Sequence, residues 1–272
     1  MGCSKEIDIN FVVAHSHEAR PIIDYYRLIK DKQHTGFNVF KNNQTRLIIS
    51  GQGKINAAAA TAYLGGMRAL NVSPGMWVNV GVAGHPDYSL GSLWRANKIT
   101  DEFSGRSIFP VAAKALNRNH TQIDGCALMT VDLPTSTYTQ QCLYDMEAAG
   151  FFQTALRFAS VETIASFKVV SDNIENPSAE IDKRLMANLI KPHIASIDQY
   201  LHSQESLFYF NKNIQDIDIN HIYLTYSQKQ IVICRHIYIN SPSRNACMGL
   251  SQIPRIGCRR YGLGQIKHKL RG

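Results

Sequence analysis

The sequence predicts an α/β fold, in which a mixed, largely parallel central sheet is flanked by helices and followed by a C-terminal extension. Short β-rich runs alternate with helical patterns from Ile7 to Leu201, as in βαβ units. Apolar runs such as Trp77–Val82 lack the alternation of a half-exposed strand, which is typical of strands buried on both faces. Hydrophobic residues make up 44% of the 272 residues, enough for one large core.

Seven segments are predicted to be strands because β-branched and aromatic residues cluster in them between turn residues. A turn at Asn42–Asn43 joins the second and third of them. The predicted strands are Ile7–Ala14, Phe37–Phe40, Arg46–Ser50, Trp77–Val82, Leu93–Asp101, Ala127–Val131 and Phe167–Ser171.

Four helices are predicted between these strands. Pro21 is expected in the first turn of the first helix, where proline is tolerated, and an alanine-rich run favours the second. Small and apolar residues around Glu147 indicate the third, and Asn176-Pro177-Ser178 is a capping pattern for the fourth. The predicted helices are Glu18 to about Lys30, Ile55–Leu70, Gln140–Ala159 and Ser178–Leu201.

Composition divides the chain near residue 205, into a domain over 1–205 and an appendage with a basic tail over 206–272. The net charge is +8, yet residues 241–272 carry seven Lys and Arg and no acid, so the rest is nearly neutral. We interpret the tail as partly disordered and solvated rather than as a nucleic-acid-binding segment. No apolar run reaches the roughly 18 residues that span a bilayer, and we expect no membrane association.

The six cysteines form no Cys-x-x-Cys pair, so a zinc site is not expected. Scattered thiols without a secretory signal are typical of a reduced, cytoplasmic protein. His15 and His17 lie two residues apart at a strand end, but no third metal ligand is evident beside them. We therefore expect neither a metal nor an organic cofactor.

Three acids stand where a sheet would place ligand chemistry. Asp172 follows a predicted buried strand, Glu147 lies among apolar helix formers, and Glu18 follows the first strand. Each also has a simpler explanation. Asp172 could cap a turn, Glu147 could pair with a buried Lys or Arg, and Glu18 could be a first-turn acid favoured by the helix dipole. Their combination with glycine loops favours one site for a polar small molecule.

Two glycine loops accompany the acids. Gly51-x-Gly53-x-x-Asn56 lacks the third glycine of a dinucleotide fingerprint, so we interpret it as a backbone loop that shapes a smaller polar pocket. Gly81-Val82-Ala83-Gly84 ends a buried strand, and its glycines are also compatible with a simple strand-to-loop turn.

These segments together resemble the purine nucleoside phosphorylase superfamily. The resemblance rests on Ser50–Ala58, Asn79–Gly84, Asp145-Met-Glu-Ala148 and Val170-Ser-Asp172, in that order after Glu18. It covers roughly residues 7 to 201. It is strongest toward the nucleosidase branch, which includes methylthioadenosine/S-adenosylhomocysteine nucleosidase and futalosine hydrolase.

The resemblance implies a role for each residue at these positions. Glu147 would bind the ribose 2′ and 3′ hydroxyls, and Met146 would pack on the sugar. Asp172 would be the general acid toward N7 of a purine, oriented by Ser171, and Glu18 would position or activate the attacking water. The loop residues Gly81, Ala83 and Gly84 are expected to contact the substrate.

The sequence departs from the family pattern at two places that bear on function. Phosphorylases hold phosphate with an arginine just before the second glycine loop, where this chain has Val78-Asn79-Val80; Arg20, Arg46 and Arg95 remain possible substitutes. In the base-contacting segment, Leu133 and Pro134 occupy the expected base-facing positions, and Tyr138 is predicted to supply the aromatic side chain.

The sequence therefore predicts a nucleosidase that hydrolyses the N-ribosidic bond of a purine-type nucleoside. A phosphate-dependent nucleoside phosphorylase and a catalytically weak nucleoside-binding protein remain alternatives. The partners expected from the resemblance are the nucleoside substrate and a second copy of the chain in a homodimer.

Overall fold

The structure is a computed structural model, and it describes residues 8–67, 75–110, 123–177 and 183–204. The strands are β1 (Ile9–Val13), β2 (Ile29–Lys30), β3 (Asn38–Lys41), β4 (Thr45–Ile49), β5 (Met76–Gly84), β6 (Leu93–Asp101), β7 (Ser107–Ile108), β8 (Gly125–Thr130), β9 (Leu143–Asp145) and β10 (Ile164–Asp172). The helices are α1 (Ser16–Tyr26), α2 (Lys54–Gly66), α3 (Ala148–Ala155), α4 (Lys183–Ile190) and α5 (Ile194–Ser203), with 3-10 turns at Val161–Thr163 and Lys191–His193.

The strands form one mixed sheet with β5 at its centre. β1 and β10 flank β5 in parallel, and β4, β3 and β2 continue outward from β1. On the other side, β10 is followed by β6, β8 and β9, and β9 pairs with β5 again at Gly84. Five strands therefore close into a ring. The predicted mixed sheet flanked by helices is confirmed.

Helices cover both faces of the sheet. Apolar side chains of α2 and α3 pack in one core cluster, which includes Leu64, Phe151 and Phe152. Side chains of α1 and α5 pack in a second cluster, which includes Ile22 and Ile197. Because the inner strands β1, β5 and β10 are covered on both faces, their sequences are apolar along nearly their whole length.

The first predicted helix differs from the observed one at both ends. It begins at Ser16, so Pro21 lies in the helix interior rather than in the first turn. Glu18 accepts a hydrogen bond from the backbone N–H of His15 at 2.9 Å, which caps the earlier start. The helix ends at Tyr26 because Arg27 has a left-handed backbone with φ of 52°.

The predicted helix over Gln140–Ala159 is wrong in its first half. Leu143–Asp145 is a strand that pairs in parallel with β8, and this tertiary pairing outweighs the local helical pattern. The helix begins only at Ala148, so Glu147 stands at its N-cap position rather than within it. The N-terminus of α3 thus points a carboxylate and backbone N–H groups at the end of the sheet.

The long helix predicted over Ser178–Leu201 is interrupted at Lys191–His193, where Pro192 lacks the N–H that a continuous helix needs. Residues 178–182 and the predicted appendage over 206–272 lie outside the described residues, as does the boundary near 205. No helix in the described ranges is long and apolar enough to cross a membrane. The predicted homodimer and cytoplasmic location stay predictions.

Candidate active site

A cavity of about 260 Å³ opens where β1, β5, β9 and β10 end. The parallel strands β1, β5 and β10 present their carboxyl ends here, which is the edge at which open α/β sheets bind ligands. Three acids from distant parts of the chain line this one cavity: Glu18, Glu147 and Asp172. All three side chains are buried, so each needs partners to remain charged.

Glu18 is held by two backbone donors and is only 2% exposed. Its Oε1 accepts from Val82 N–H at 3.0 Å and its Oε2 from His15 N–H at 2.9 Å. Gly81 makes room for this carboxylate, because a Cβ at that position would lie 3.0 Å from Glu18 Oε1 and 3.4 Å from Lys168 Nζ. Glu18 is therefore both an acid in the first turn of α1 and a residue that lines the cavity.

Glu147 reaches the cavity from the start of α3. Its Oε1 accepts from Gly53 N–H at 2.8 Å, so the first glycine loop supports the acid rather than a dinucleotide. Burial raises the pKa of Glu147 to about 7, and the charges of Asp145 and Glu18 add to this, while Lys168 and the Gly53 N–H oppose it. Near neutral pH this group can therefore gain or lose a proton.

Lys168 and Asp145 form an ion pair at the cavity, in which Asp145 is a wall residue, and the sequence did not predict this pair. Lys168 Nζ lies 2.8 Å from Asp145 Oδ2, and Lys168 is 1% exposed. Burial opposes the charge of Lys168, but attraction to Asp145, Glu147 and Glu18 outweighs it, so the pKa of the ammonium is raised. Glu147 therefore satisfies both explanations considered for it, because it interacts with the buried cation Lys168 and also lines the cavity.

Asp172 is the last residue of β10, and both oxygens of its carboxyl group accept hydroxyl hydrogen bonds. Ser171 Oγ donates to Oδ1 at 2.6 Å, and Tyr138 Oη donates to Oδ2 at 2.5 Å. The backbone carbonyl of Asp172 accepts from His85 N–H at 3.0 Å. Asp172 therefore lies within the sheet ladder rather than acting as a turn or helix cap.

The remaining predicted contact residues fall into two groups. Met146, Ser171, Ala83 and Gly84 line the cavity. Gly81 and Tyr138 lie next to lining acids but are not among the described residues that form its wall.

The segment that was expected to contact the base lies only partly at the cavity. Pro134 and Thr135 line the cavity. Leu133 is not among the described wall residues and is 76% exposed to solvent. The cavity wall therefore does not support the expected place of Leu133 beside the base.

The arginines considered as phosphate ligands do not line the cavity. Arg20 pairs with Asp24 on the exposed face of α1, and the guanidinium of Arg95 lies over the ring of Tyr200 at 5.9 Å. Arg46 lies in β4, away from the wall residues.

His15 lines the cavity, and its neighbour His17 does not. Within the described ranges, no group of three or more His, Cys, Asp or Glu side chains could hold a metal ion.

Many solved structures share this architecture. The 5′-methylthioadenosine nucleosidase of Arabidopsis thaliana matches with a TM-score of 0.60 at 15% identity, over 73% of this chain and 96% of its own. The 5′-methylthioadenosine/S-adenosylhomocysteine nucleosidase of S. pneumoniae, solved with a transition-state inhibitor, matches with a TM-score of 0.57 at 15% identity, over 72% of this chain and 99% of its own. A futalosine hydrolase mutant of Helicobacter pylori matches with a TM-score of 0.57 at 14% identity, over 72% of this chain and 99% of its own.

The chain has the same fold as these nucleosidases. The resemblance inferred from the motifs is confirmed at the level of the fold, since the likeness covers nearly the whole of each of these nucleosidases. No family model matches the chain, and no curated protein sequence matches it either.

Several site residues were not predicted from the sequence. Gln52, Tyr144, Asp145 and Met186 line the cavity, and Lys168 pairs with Asp145. A signal for Lys168 was present, because it is the one lysine within the buried run Ile164–Asp172. A lysine there requires a buried anion, and Asp145 is that anion.

Proposed function

We propose that this protein is a nucleoside N-ribohydrolase that cleaves the bond between the ribose and the base of a purine-type nucleoside. The observation that carries the proposal is the convergence of Glu18, Glu147 and Asp172 on one cavity of sugar-and-base dimensions. The nucleosidase fold supports it, because the neighbours just described carry that activity in their names.

Asp172 takes the role of general acid. Cleavage breaks the bond between C1′ and the base nitrogen, and the electron pair of that bond goes to the base. A proton delivered by Asp172 to N7 of the purine neutralises the departing base, which is the task of a positioned carboxylic acid. Ser171 and Tyr138 fix the orientation of this carboxyl group.

Glu147 and Glu18 act on the sugar side. A carboxylate matches a vicinal diol because it accepts two charge-assisted hydrogen bonds, so Glu147 binds the 2′ and 3′ hydroxyls. Glu18 orients a water molecule, takes one of its protons as oxygen bonds to C1′, and stabilises the cationic character that develops on the ribosyl ring. Free base and free ribose moiety are the products.

Water is favoured over phosphate as the nucleophile by the charge of the cavity wall. Glu18 and Glu147 lie around the sugar position, and no lysine or arginine is among the described wall residues, so the wall offers no cationic side chain to a phosphate dianion. Asp145 already partners the ammonium of Lys168. A phosphorylase remains the second candidate, and a nucleoside-binding protein without turnover is the third.

The test is a panel of purine nucleosides, with varied 5′ substituents, incubated with the protein with and without phosphate. We expect free base and free ribose product without phosphate, and loss of base release in Asp172→Asn with nucleoside binding retained. Asp24→Asn, an exposed aspartate on α1, is the matched control and should leave turnover unchanged.

Three other results would each decide against the proposal. Ribose 1-phosphate formed only with phosphate would identify a phosphorylase. Thermal stabilisation by nucleosides without base release would identify a binding protein. Full turnover in Asp172→Asn would remove Asp172 as the general acid.

A further inference from the structure

The carboxyl group of Asp172 has a second hydroxyl donor that comes from a distant part of the chain. Ser171 is its neighbour in sequence, whereas Tyr138 lies 34 positions away in the segment between β8 and β9. The Tyr138 Oη to Asp172 Oδ2 distance of 2.5 Å is in the range of hydrogen bonds between a hydroxyl and an ionised carboxylate.

The local packing is shaped around this contact. A Cβ on Gly84 would lie 2.6 Å from both Asp172 Oδ2 and Tyr138 Oη, so only glycine leaves room for the pair. The ring of Tyr138 packs edge-on against Tyr144 with centroids 5.2 Å apart. The hydroxyl of Tyr144 in turn accepts the backbone N–H groups of Thr139 and Gln140, which anchors the segment that carries Tyr138.

Tyr138 contacts Asp172 without being one of the cavity's described wall residues. Asp172 itself lines the cavity, so the phenol leaves the acid accessible to a ligand. Burial raises the pKa of Tyr138, and the hydrogen bond to Asp172 and its negative charge raise it further. The phenol therefore keeps its proton at neutral pH and acts as a donor.

We propose that Tyr138 is a positioning residue for the general acid Asp172, rather than a stacking platform for the base. This inference rests on the proposed function for its catalytic meaning. As the proton leaves Asp172 for the base, negative charge grows on the carboxyl oxygens, and a phenol donor already in place stabilises that charge. Ser171 on the other oxygen completes a two-hydroxyl support that holds the carboxyl plane.

The other titratable groups around Asp172 are placed differently. His85 follows β5 and meets Asp172 through its backbone, whereas Tyr144 of β9 packs against Tyr138 and also lines the cavity. His15, Glu18, Asp145 and Glu147 line the same cavity, and all of them are retained in Tyr138→Phe.

Tyr138→Phe removes the hydroxyl and keeps the ring, so it separates the two roles. A positioning role predicts that kcat falls about tenfold, the loss of one hydrogen bond to a charged group, while KM changes little. The high-pH limb of the rate profile should move to higher pH, because losing a donor disfavours the carboxylate. A stacking role predicts instead that Tyr138→Phe leaves both the rate and the pH profile unaltered, because the ring is retained.

Tyr26→Phe is a matched control. Its hydroxyl donates to Asp198 Oδ1 at 2.6 Å, so it is a tyrosine–aspartate pair remote from the cavity wall. Its rate profile should superimpose on that of the wild type. A shift of equal size in Tyr26→Phe would overturn the inference, because the effect would then be general rather than local.

A second readout does not depend on turnover. In protein labelled with ¹³C at aspartate carboxyls, the Asp172 signal is assigned by its disappearance in Asp172→Asn. At one fixed pH, we expect this signal to shift in Tyr138→Phe, which removes the hydroxyl donor, and not in Tyr26→Phe, even if no nucleoside is cleaved. Thus inactivity of the wild type contradicts only the proposed function, whereas an unmoved Asp172 signal overturns the role of Tyr138. If Tyr138→Phe does not fold, Tyr138→Met also removes the hydroxyl and serves for the Asp172 signal alone, because it lacks the ring that the stacking comparison needs.

Discussion

Lys168 of β10 and Asp145 of β9 meet in an ion pair of 2.8 Å at the cavity wall, and both residues are almost fully buried. Asp145 also accepts from Thr130 Oγ1 at 2.7 Å and from Ala148 N–H at 2.8 Å. The pair thus joins two strands to the start of α3. Because Glu147 follows at the N-cap of α3, this network positions the proposed ribose ligand as well as balancing its charge.

Lys168→Met should strongly destabilise the protein, because it leaves buried carboxylates without their cation. Removing one partner of a buried pair costs about 3–5 kcal/mol, measurable as a loss of unfolding free energy in urea. Arg20→Met, which breaks an exposed pair on α1, should cost less than about 1 kcal/mol. The double variant Lys168→Met/Asp145→Asn should be more stable than the sum of the single changes predicts. Strict additivity would show that the two residues do not act as a pair.

Seven of the ten strands in the described residues, and the positions of Glu18 and Asp172, could be predicted from the sequence because their signals are local. Each acid lies at or just after the end of a continuous apolar run, and the carboxyl ends of parallel strands meet at one edge. β6 was predicted with its observed bounds, Leu93–Asp101, for the same reason. Convergence of these acids with Glu147 then followed from topology together with the family resemblance.

The ion pair of Lys168 and Asp145 could not be predicted in the same way. The segment Leu143–Asp145 has no strong strand pattern, and it is extended only because β8 offers it a partner. The sequence placed Asp145 in a helix, and that placement does not bring its carboxylate next to Lys168. The anion that partners Lys168 could therefore not be identified. A three-residue strand is stabilised by its neighbouring strand, and the local pattern of apolar and polar residues does not show which neighbour that is.

Glu147→Gln should alter the pH dependence of stability in a defined direction. The pKa of Glu147 is raised from 4.5 to about 7 in the folded state. Between these values the folded protein binds more protons than the unfolded chain, so the contribution of Glu147 to stability is lost as pH rises through about 7. The loss is on the order of 3 kcal/mol.

Melting temperatures of the wild type and Glu147→Gln, measured from about pH 5 to pH 8, should show this loss of stability as a pH-dependent difference between the two proteins. The melting temperature of Glu147→Gln should rise relative to the wild type as pH increases, since glutamine stays neutral. Glu162→Gln, at an exposed position, is the control and should run parallel to the wild type. A parallel curve for Glu147→Gln would contradict the raised pKa. Base release in Glu147→Gln should also fall, because a neutral amide binds the diol less strongly.

Gly84→Ala should reduce base release about a hundredfold, since displacement of a reacting group by about 1 Å can have that effect. The new Cβ would lie 2.6 Å from Asp172 Oδ2 and from Tyr138 Oη, so the acid and its phenol donor must separate. Gly66→Ala is the control, because its Cβ would meet nothing within 4 Å at the end of α2. Steady-state kinetics of base release by the wild type, Gly84→Ala and Gly66→Ala test this prediction. Unimpaired turnover in Gly84→Ala would show that this contact is not needed.

Gly150→Ala should destabilise the packing of α3 on α2. Its Cβ would lie 2.0 Å from the backbone oxygen of Lys54 and 2.7 Å from the carbonyl carbon, and a backbone cannot rotate away as a side chain can. Overpacking of this kind costs about 1–3 kcal/mol, which urea unfolding can measure. Because Gly53 precedes Lys54 and donates its N–H to Glu147, separation of the helices should also lengthen that bond and raise KM for the nucleoside.

Gly36→Ala is the control for Gly150→Ala, because its Cβ would make only an ordinary contact of 3.9 Å with Tyr63. Gly36→Ala should change the unfolding free energy by less than about 0.5 kcal/mol and should leave KM unchanged. If Gly150→Ala lowers stability and leaves KM unchanged, the first glycine loop supports Glu147 without depending on the spacing of the helices. If both stability and KM remain those of the wild type, α2 and α3 do not approach as closely as the structure places them.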